Sequence, residues 1–304
     1  MGRERIRLHC IIPPHMLKKI AEHGNDKQRH WALHSLGVSE RFRGKRDVLG
    51  DIGFAAAVPA GEKRRTVYDA QHVENLPGTL VRGEGDPKSK DPAVNESYDG
   101  AGATYDFYDK VYERNSVDDR GLRLDSTVHY GSNYDNAFWD GESMNFNKRS
   151  DGVAAGVTAI DVTGHELTHG VTQETSGLIY SGESGAMNES MSDIMGKSVQ
   201  FWSKPADVNW QMSNDMNWII RDMSNPNGYW QPDTYKGSYW YYGSDDHGGV
   251  HTNSGVGNFM FYLLVAGGNG TNDLGNSYSV SAIGLSKADQ IIYRSETVYL
   301  SPNA

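Results

Sequence analysis

The chain has 304 residues, a net charge of −10 at pH 7, 37% apolar residues and a single cysteine. That length accommodates two domains and a sizeable core, and one thiol excludes an intramolecular disulfide. The charge is uneven: residues 1–65 carry 14 Lys and Arg against 7 Asp and Glu, and the remainder 15 against 32. This argues against nucleic acid as a partner of the acidic body and for a basic head that docks on that body.

No apolar run of signal-peptide length follows the charges of Met1–Arg7. The expectation is a protein with no signal peptide, cytoplasmic or secreted by a leaderless route. The longest apolar stretch, Phe259 to Ala266, is far too short to span a bilayer and reads as a core helix, so no membrane partner is expected.

The head begins with an extended segment, Ile11-Ile12-Pro13-Pro14-His15-Met16-Leu17, because proline fixes φ and biases its predecessor away from the helix. Met16 to His23 has apolar residues at helical spacing and Gly24 ends it. A second short helix is predicted over Gln28–Leu36, with Trp31 and Leu36 on its buried side. Beyond it a small-residue linker through Ala55–Ala57 is bracketed by Arg41–Arg46 and Gly61–Arg65, a poor core and a good tether.

Thr66 to Asn147 reads as a mostly antiparallel sheet crossed by one helix. The strand-like runs are Val67-Tyr68, Thr79–Arg82 and Leu122–Tyr130. The helix is Gly102–Arg114, with Tyr105, Tyr108, Val111 and Tyr112 as its apolar stripe. Asn136 to Trp139 reads as an exposed edge strand.

A helix is then predicted from Thr158 through His165-Glu166-Leu167-Thr168-His169. Histidines four apart lie one turn apart on one face, so both imidazoles can reach one ion, while Glu166 points toward a water on that ion. Twenty residues after His169, a second helix carries Glu189, a third, carboxylate ligand, and Asp193 on the same face. Asp193 would hold one ligand histidine in a single tautomer and Asn188 the other. Two imidazoles and one carboxylate leave a Zn²⁺ one position open, as hydrolysis requires. Beyond Asp193 the chain reads as helical, through Ile194–Trp202, Ile219–Met223, Ser254–Gly267 and Ser286–Leu300.

The segments HELTHGVTQ, GLIY, SGAMNESMSDIMG, NAFWDG and GGVHTNSG together resemble the thermolysin-like zinc metalloendopeptidases, a gluzincin family. The match covers most of the chain from about Thr66 to Leu300, and the opening segment resembles the short prosegment of the protealysin branch. The resemblance implies an α+β, two-lobed fold: an N-terminal antiparallel β-rich lobe, a mainly α-helical C-terminal lobe, and the zinc cleft between them. On that reading residues 1–50 are an inhibitory propeptide with a Pro-Pro motif, cut within about 43–59. Residues 51–157 are the β-rich lobe and 158–304 the helical metal-binding lobe.

The resemblance also assigns roles. Glu166 is the general base; Tyr180 and His251 stabilise the oxyanion, with Asp246 orienting His251; His165, His169 and Glu189 hold zinc. Asn136 and Ala137 bind the substrate backbone as an edge strand does. Arg221 reads by itself as a surface charge or as a fork on a substrate carbonyl, and the family's R-x-M-S motif favours the second. Val162 and Ile220 match positions lining the S1′ pocket, which implies cleavage before hydrophobic residues. Cys10 is either a buried, inert thiol or a zinc ligand that closes the precursor's open position.

The expected partners are peptide or protein substrates, the propeptide in cis and a dedicated protein inhibitor of the kind met by protealysin-like enzymes. A zinc aminopeptidase shares the ligand triad, but no element for a free substrate amine is legible. A metal-stabilised binding module would have no need of Glu166, Tyr180, His251 and Asp246 together. Two departures from the family stand out. Where relatives bind a calcium pair through acidic side chains, this chain has Gln200, Asn209, Gln211 and Asn214, although Asp161 is kept. The double Ca²⁺ site is therefore expected to be absent or weak. The chain also stops at Ala304 where relatives continue through two more helices, so a truncated C-terminal lobe is expected.

Overall fold

The structure, a computed structural model, describes residues 9–49, 59, 61–132, 136–141, 143–146, 159–213 and 219–304, with the backbone alone for 9, 10, 15 and 39–49. The linker through Ala55–Ala57, the predicted helix start at Thr158, Asn214 and the Cys10 side chain lie outside the described residues.

The head supplies β1 (His9–Cys10), α1 (Pro14–His23) and α2 (Asp26–Leu49). Helix α1 begins at Pro14, two residues before the predicted Met16, so the extended segment ends at Pro13 and not at Leu17; Pro14 sits in the first turn, where no backbone N–H is needed. The second helix is much longer than the predicted Gln28–Leu36 and runs through the basic Arg41–Arg46 run. The head packs into the body: Ile11, Ile12, Leu17, Trp31 and Ala32 belong to the main buried cluster of the molecule.

The β-rich part comprises β2 (Arg65–Asp69), β3 (Thr79–Arg82), α3 (Pro92–Tyr112), β4 (Leu124–Val128), β5 (Ala137–Trp139) and β6 (Ser143–Phe146). Helix α3 (Pro92–Tyr112) starts ten residues, nearly three turns, before the predicted Gly102. Asp91 caps it by accepting from Ala93 N at 2.9 Å, and Pro92 occupies the first turn. With β1 the strands form one six-stranded sheet in the order β1-β5-β6-β4-β2-β3. It is antiparallel at both margins (β1–β5, β5–β6, β2–β3) and parallel at its centre (β2–β4, β4–β6). Strand β5, expected to be an exposed edge, is fully buried because β1 pairs along it, His9 opposite Trp139 and Cys10 opposite Phe138.

The helical part contains α4 (Ile160–Glu174), α5 (Gly182–Ser203), β7 (Gln211–Met212), β8 (Arg221–Asp222), α6 (Asp246–Asn253), α7 (Gly255–Ala266), the hairpin β9 (Gly268–Thr271) and β10 (Ser277–Val280), and α8 (Leu285–Arg294). Arg221 thus lies on a short strand rather than in a helical run; Met212 pairs with it. Helices α4 and α5 touch backbone to backbone. A Cβ on Gly196 would sit 2.4 Å from Asp161 O and 2.9 Å from His165 N, and one on Gly164 3.0 Å from Gly196 Cα. This close crossing brings the histidines of α4 against the carboxylates of α5. No helix among the described residues is long and apolar enough to cross a membrane.

Candidate metal centre

Helix periodicity places His165 and His169 on one face of α4, and the close crossing presents Glu189 of α5 to them. Ligand atoms from the three side chains all lie within 4.8 Å of one another. Glu189 Oε2 is 3.5 Å from His165 Nε2, and Oε1 is 3.4 Å from His169 Nε2. All three residues are buried.

The outer hydrogen bonds fix the imidazoles. His165 Nδ1 faces Asp193 Oδ1 at 2.8 Å, and His169 Nδ1 faces Asn188 Oδ1 at 2.7 Å. Both acceptors hold the ring proton on Nδ1, which leaves each Nε2 with its lone pair directed inward. The two Nε2 atoms are 3.0 Å apart. Facing lone pairs beside a carboxylate are unfavourable unless a cation lies among them, and buried Glu189 Oε2 accepts no hydrogen bond from the described residues. The donor set of two imidazoles and one carboxylate fits a zinc ion with one position left open.

Asp193 is shared. Arg221 donates to its Oδ1 at 2.8 Å, and Asn258 of α7 donates to its Oδ2 at 2.8 Å. Burial pushes the Asp193 carboxyl upward, but the Arg221 guanidinium and the His165 N–H outweigh it and hold the group well below the usual carboxylate range. Asn258 was not singled out in the sequence. Its amide is oriented in turn by Ser190, which donates to Asn258 Oδ1 at 3.0 Å.

On the other side of Glu189 stand Tyr180 and His251. The Tyr180 hydroxyl donates to Glu189 Oε1 and lies 3.2 Å from His251 Nε2. Asp246 binds His251 twice, at Nδ1 (2.8 Å) and at the backbone N–H (3.1 Å). Asp246, His247, Gly248 and Gly249 all have positive φ, so the chain doubles back ahead of His251 and places Asp246 beneath it. Burial lowers the pKa of His251, and the carboxylates of Asp246 and Glu189 more than reverse that, so it stands above its ordinary value. His247 has a ring contact with Tyr180, at 5.7 Å between centroids, and Ser181 donates to its carbonyl. Glu166 is buried next to His165, and its Oε2 accepts from Trp139 N at 2.9 Å, which ties the candidate base to β5.

The remaining predicted residues converge on the head. Asn136 Oδ1 accepts from Ile12 N at 2.9 Å and its amide donates to Ile12 O at 3.3 Å. Ile11 N donates to Ala137 O at 3.2 Å, and Arg221 donates to Ile11 O at 3.2 Å. Ile11 is fully buried in the same cluster as Val162 and Ile220. The residues named for calcium do not form an acidic cage: Gln200, Asn209, Gln211 and Asp161 surround the Nζ of Lys197. Sequence reading passed over Lys197, although a lysine inside the buried run of a helix is a signal in itself.

Residues 60–173 match the family model of the thermolysin metallopeptidase catalytic domain, and residues 176–304 that of the thermolysin metallopeptidase alpha-helical domain. An extracellular metalloprotease of Pectobacterium carotovorum subsp. carotovorum is 38% identical over 281 residues, covering 83% of this chain and 77% of that protein. Bacillolysin of Bacillus cereus is 43% identical over 254 residues, covering 77% of this chain and 42% of its own length. This chain thus spans less than half of that relative. Among solved structures, the precursor of protealysin, a metalloproteinase from Serratia proteamaculans, superposes with a TM-score of 0.79 at 34% identity, covering 97% of this chain and 89% of that one. The metal triad on two crossed helices, the α+β architecture and these matches place the chain in the thermolysin family of zinc-dependent metallopeptidases, hydrolases of peptide bonds.

Proposed function

We propose that this chain is a zinc endopeptidase made as a self-inhibited precursor that cleaves before hydrophobic residues. The observation that carries the inhibited state is the path of Ile11 and Ile12. Their backbone groups take Ala137 O, both amide atoms of Asn136 and the Arg221 guanidinium, the groups that family resemblance assigns to substrate. A segment that lies along β5 and consumes these contacts denies them to any other peptide.

When bound, zinc supplies Lewis acidity and lowers the pKa of a water from about 15.7 toward ~7. The chain's own residues do the rest. Glu166, held by the Trp139 N–H, takes the proton of the attacking water and passes it to the leaving amine. Tyr180 and His251, whose ring is held at Nδ1 by Asp246, donate to the oxygen on which charge develops. Asp193 and Asn188 keep the inward lone pairs of the histidines available. The preference for a hydrophobic residue following the cut bond rests on Val162 and Ile220, both buried and apolar, at the positions that family resemblance assigns to the S1′ pocket.

The test uses an N-blocked peptide cleavable only at an internal bond. Glu166→Ala should reduce its hydrolysis by at least about 10²–10⁴ and stop self-shortening near residue 50, with zinc content unchanged. Cleavage that survives this substitution rejects the mechanism. A requirement for a free substrate amine would instead favour an aminopeptidase.

A further inference from the structure

Lys197 is fully buried, as are Asp161 and Gln200 beside it. Its ammonium donates to Asp161 Oδ2 (3.3 Å), Gln200 Oε1, Asn209 Oδ1 (3.1 Å) and Gln211 O (2.6 Å). These oxygens come from α4, α5, the segment after α5, and β7, so one nitrogen joins four parts of the chain. The side-chain amide oxygens of Gln200 and Asn209 face inward because their nitrogens are engaged elsewhere. Gln200 Nε2 and Asn209 Nδ2 donate to Asp207 at 3.5 and 3.2 Å, and the Gln211 oxygen is that of the main chain. Asp161 Oδ2 also accepts from Ser213 N at 2.7 Å, which pins the end of β7 to the start of α4.

An all-oxygen cage of this kind is what a hard cation seeks, but calcium takes six to eight oxygens, several of them charged. This cage offers a single carboxylate, and its centre already holds a positive charge. We propose that the Lys197 ammonium is the resident cation of the cage, so that the junction of α4, α5 and β7 is held without a divalent ion. The disagreement with a calcium-bearing junction is thus one of substitution. A tethered monovalent cation with three N–H donors replaces a diffusible dication, and neutral amides replace carboxylates to match the lower charge.

The experiment compares thermal unfolding of the full chain with and without Asp161→Asn, in millimolar calcium and in a calcium-selective chelator, on a Glu166→Ala background that prevents autolysis. Stranding the ammonium should lower the midpoint by roughly 5–15 °C, by the same amount in both conditions. A loss seen in calcium but absent in the chelator would mean that Asp161 serves a calcium ion, and would overturn the proposal. Should Asp161→Asn fail to fold, amide hydrogen exchange at Gln211 and Ser213 without that substitution decides. Equal rates with and without calcium support the resident ammonium, and added protection on calcium binding refutes it.

Discussion

Helices α4 and α5 carry two buried polar clusters a short distance apart along the same crossing. In one, His165, His169 and Glu189 direct lone pairs at one another, with ligand atoms within 4.8 Å. In the other, Asp161, Gln200 and Asn209 direct theirs at the ammonium of Lys197. Both are built on the close approach of Gly164 and Gly196, and both answer the cost of burying oxygen and nitrogen lone pairs away from water. The first requires an ion from solution, and an ion with an open position brings reactivity. The second carries its cation covalently and offers no open position, so it can serve only to hold the lobe together. The difference between a reactive and a structural centre here lies in whether the chain provides its own positive charge.

The most damaging way to break the comparison is at Asp193, which faces the metal cluster through His165 and is itself neutralised by Arg221. Asp193→Ala should strand the buried guanidinium at a cost of about 3–5 kcal/mol and weaken zinc binding by about 10–100-fold. Denaturant unfolding and chelator competition measure the two effects; zinc affinity that stays unchanged would remove Asp193 from the metal centre. A comparable stability loss, about 3–5 kcal/mol, is expected for Lys197→Met, but here zinc affinity should stay within about twofold, since additivity holds for independent clusters. A large fall in zinc affinity would show that the two clusters are coupled.

The smallest effect sharpens the comparison by adding a carboxyl that has neither ion nor ammonium. Asp289 of α8 is buried against Ser198, the neighbour of Lys197, and accepts from its hydroxyl at 2.6 Å. Burial pushes its pKa up to about 7, with the Ser198 hydrogen bond opposing. Between about pH 4, where an unfolded Asp titrates, and about 7, the folded state keeps a proton that the unfolded state has lost. Its contribution is therefore fully present below the unfolded pKa and is lost as pH rises through that window, by up to about 1.4 kcal/mol per unit. Asp289→Asn should flatten this slope and raise the melting midpoint most at neutral pH. A slope left unchanged in melting curves across that range would show that Asp289 is already ionised in the fold.

Much of the metal centre was legible because its geometry is local. The spacing of His165 and His169 on a helix, the acceptors one residue before and four after Glu189, and the glycines ahead of His251 all act within a few turns of chain. The Pro-Pro signal gave the extended backbone at Pro13 for the same reason, since proline acts on its own φ and its neighbour's, but not the helix start at Pro14. Strand Arg221–Asp222 was missed because two residues carry no period of their own; only pairing with Gln211–Met212 makes them a strand. The central parallel pairings were equally invisible, for alternation predicts a strand but not its neighbour's direction.

The sequence by itself determined the ligand set, the helices that present it and the extended character of Pro13 and the residues before it, because each follows from backbone preference and residue spacing. Tertiary structure alone decided that Ile12 meets Asn136 across 124 residues and Ile11 meets Arg221 across 210. It alone decided that β5 is covered rather than open, and that the Lys197 ammonium lies among oxygens of Asp161, Gln200, Asn209 and Gln211. Those are contacts between segments whose order along the chain says nothing about their distance in space. They form only when burial of a shared core brings them together and leaves each buried polar atom in need of a partner.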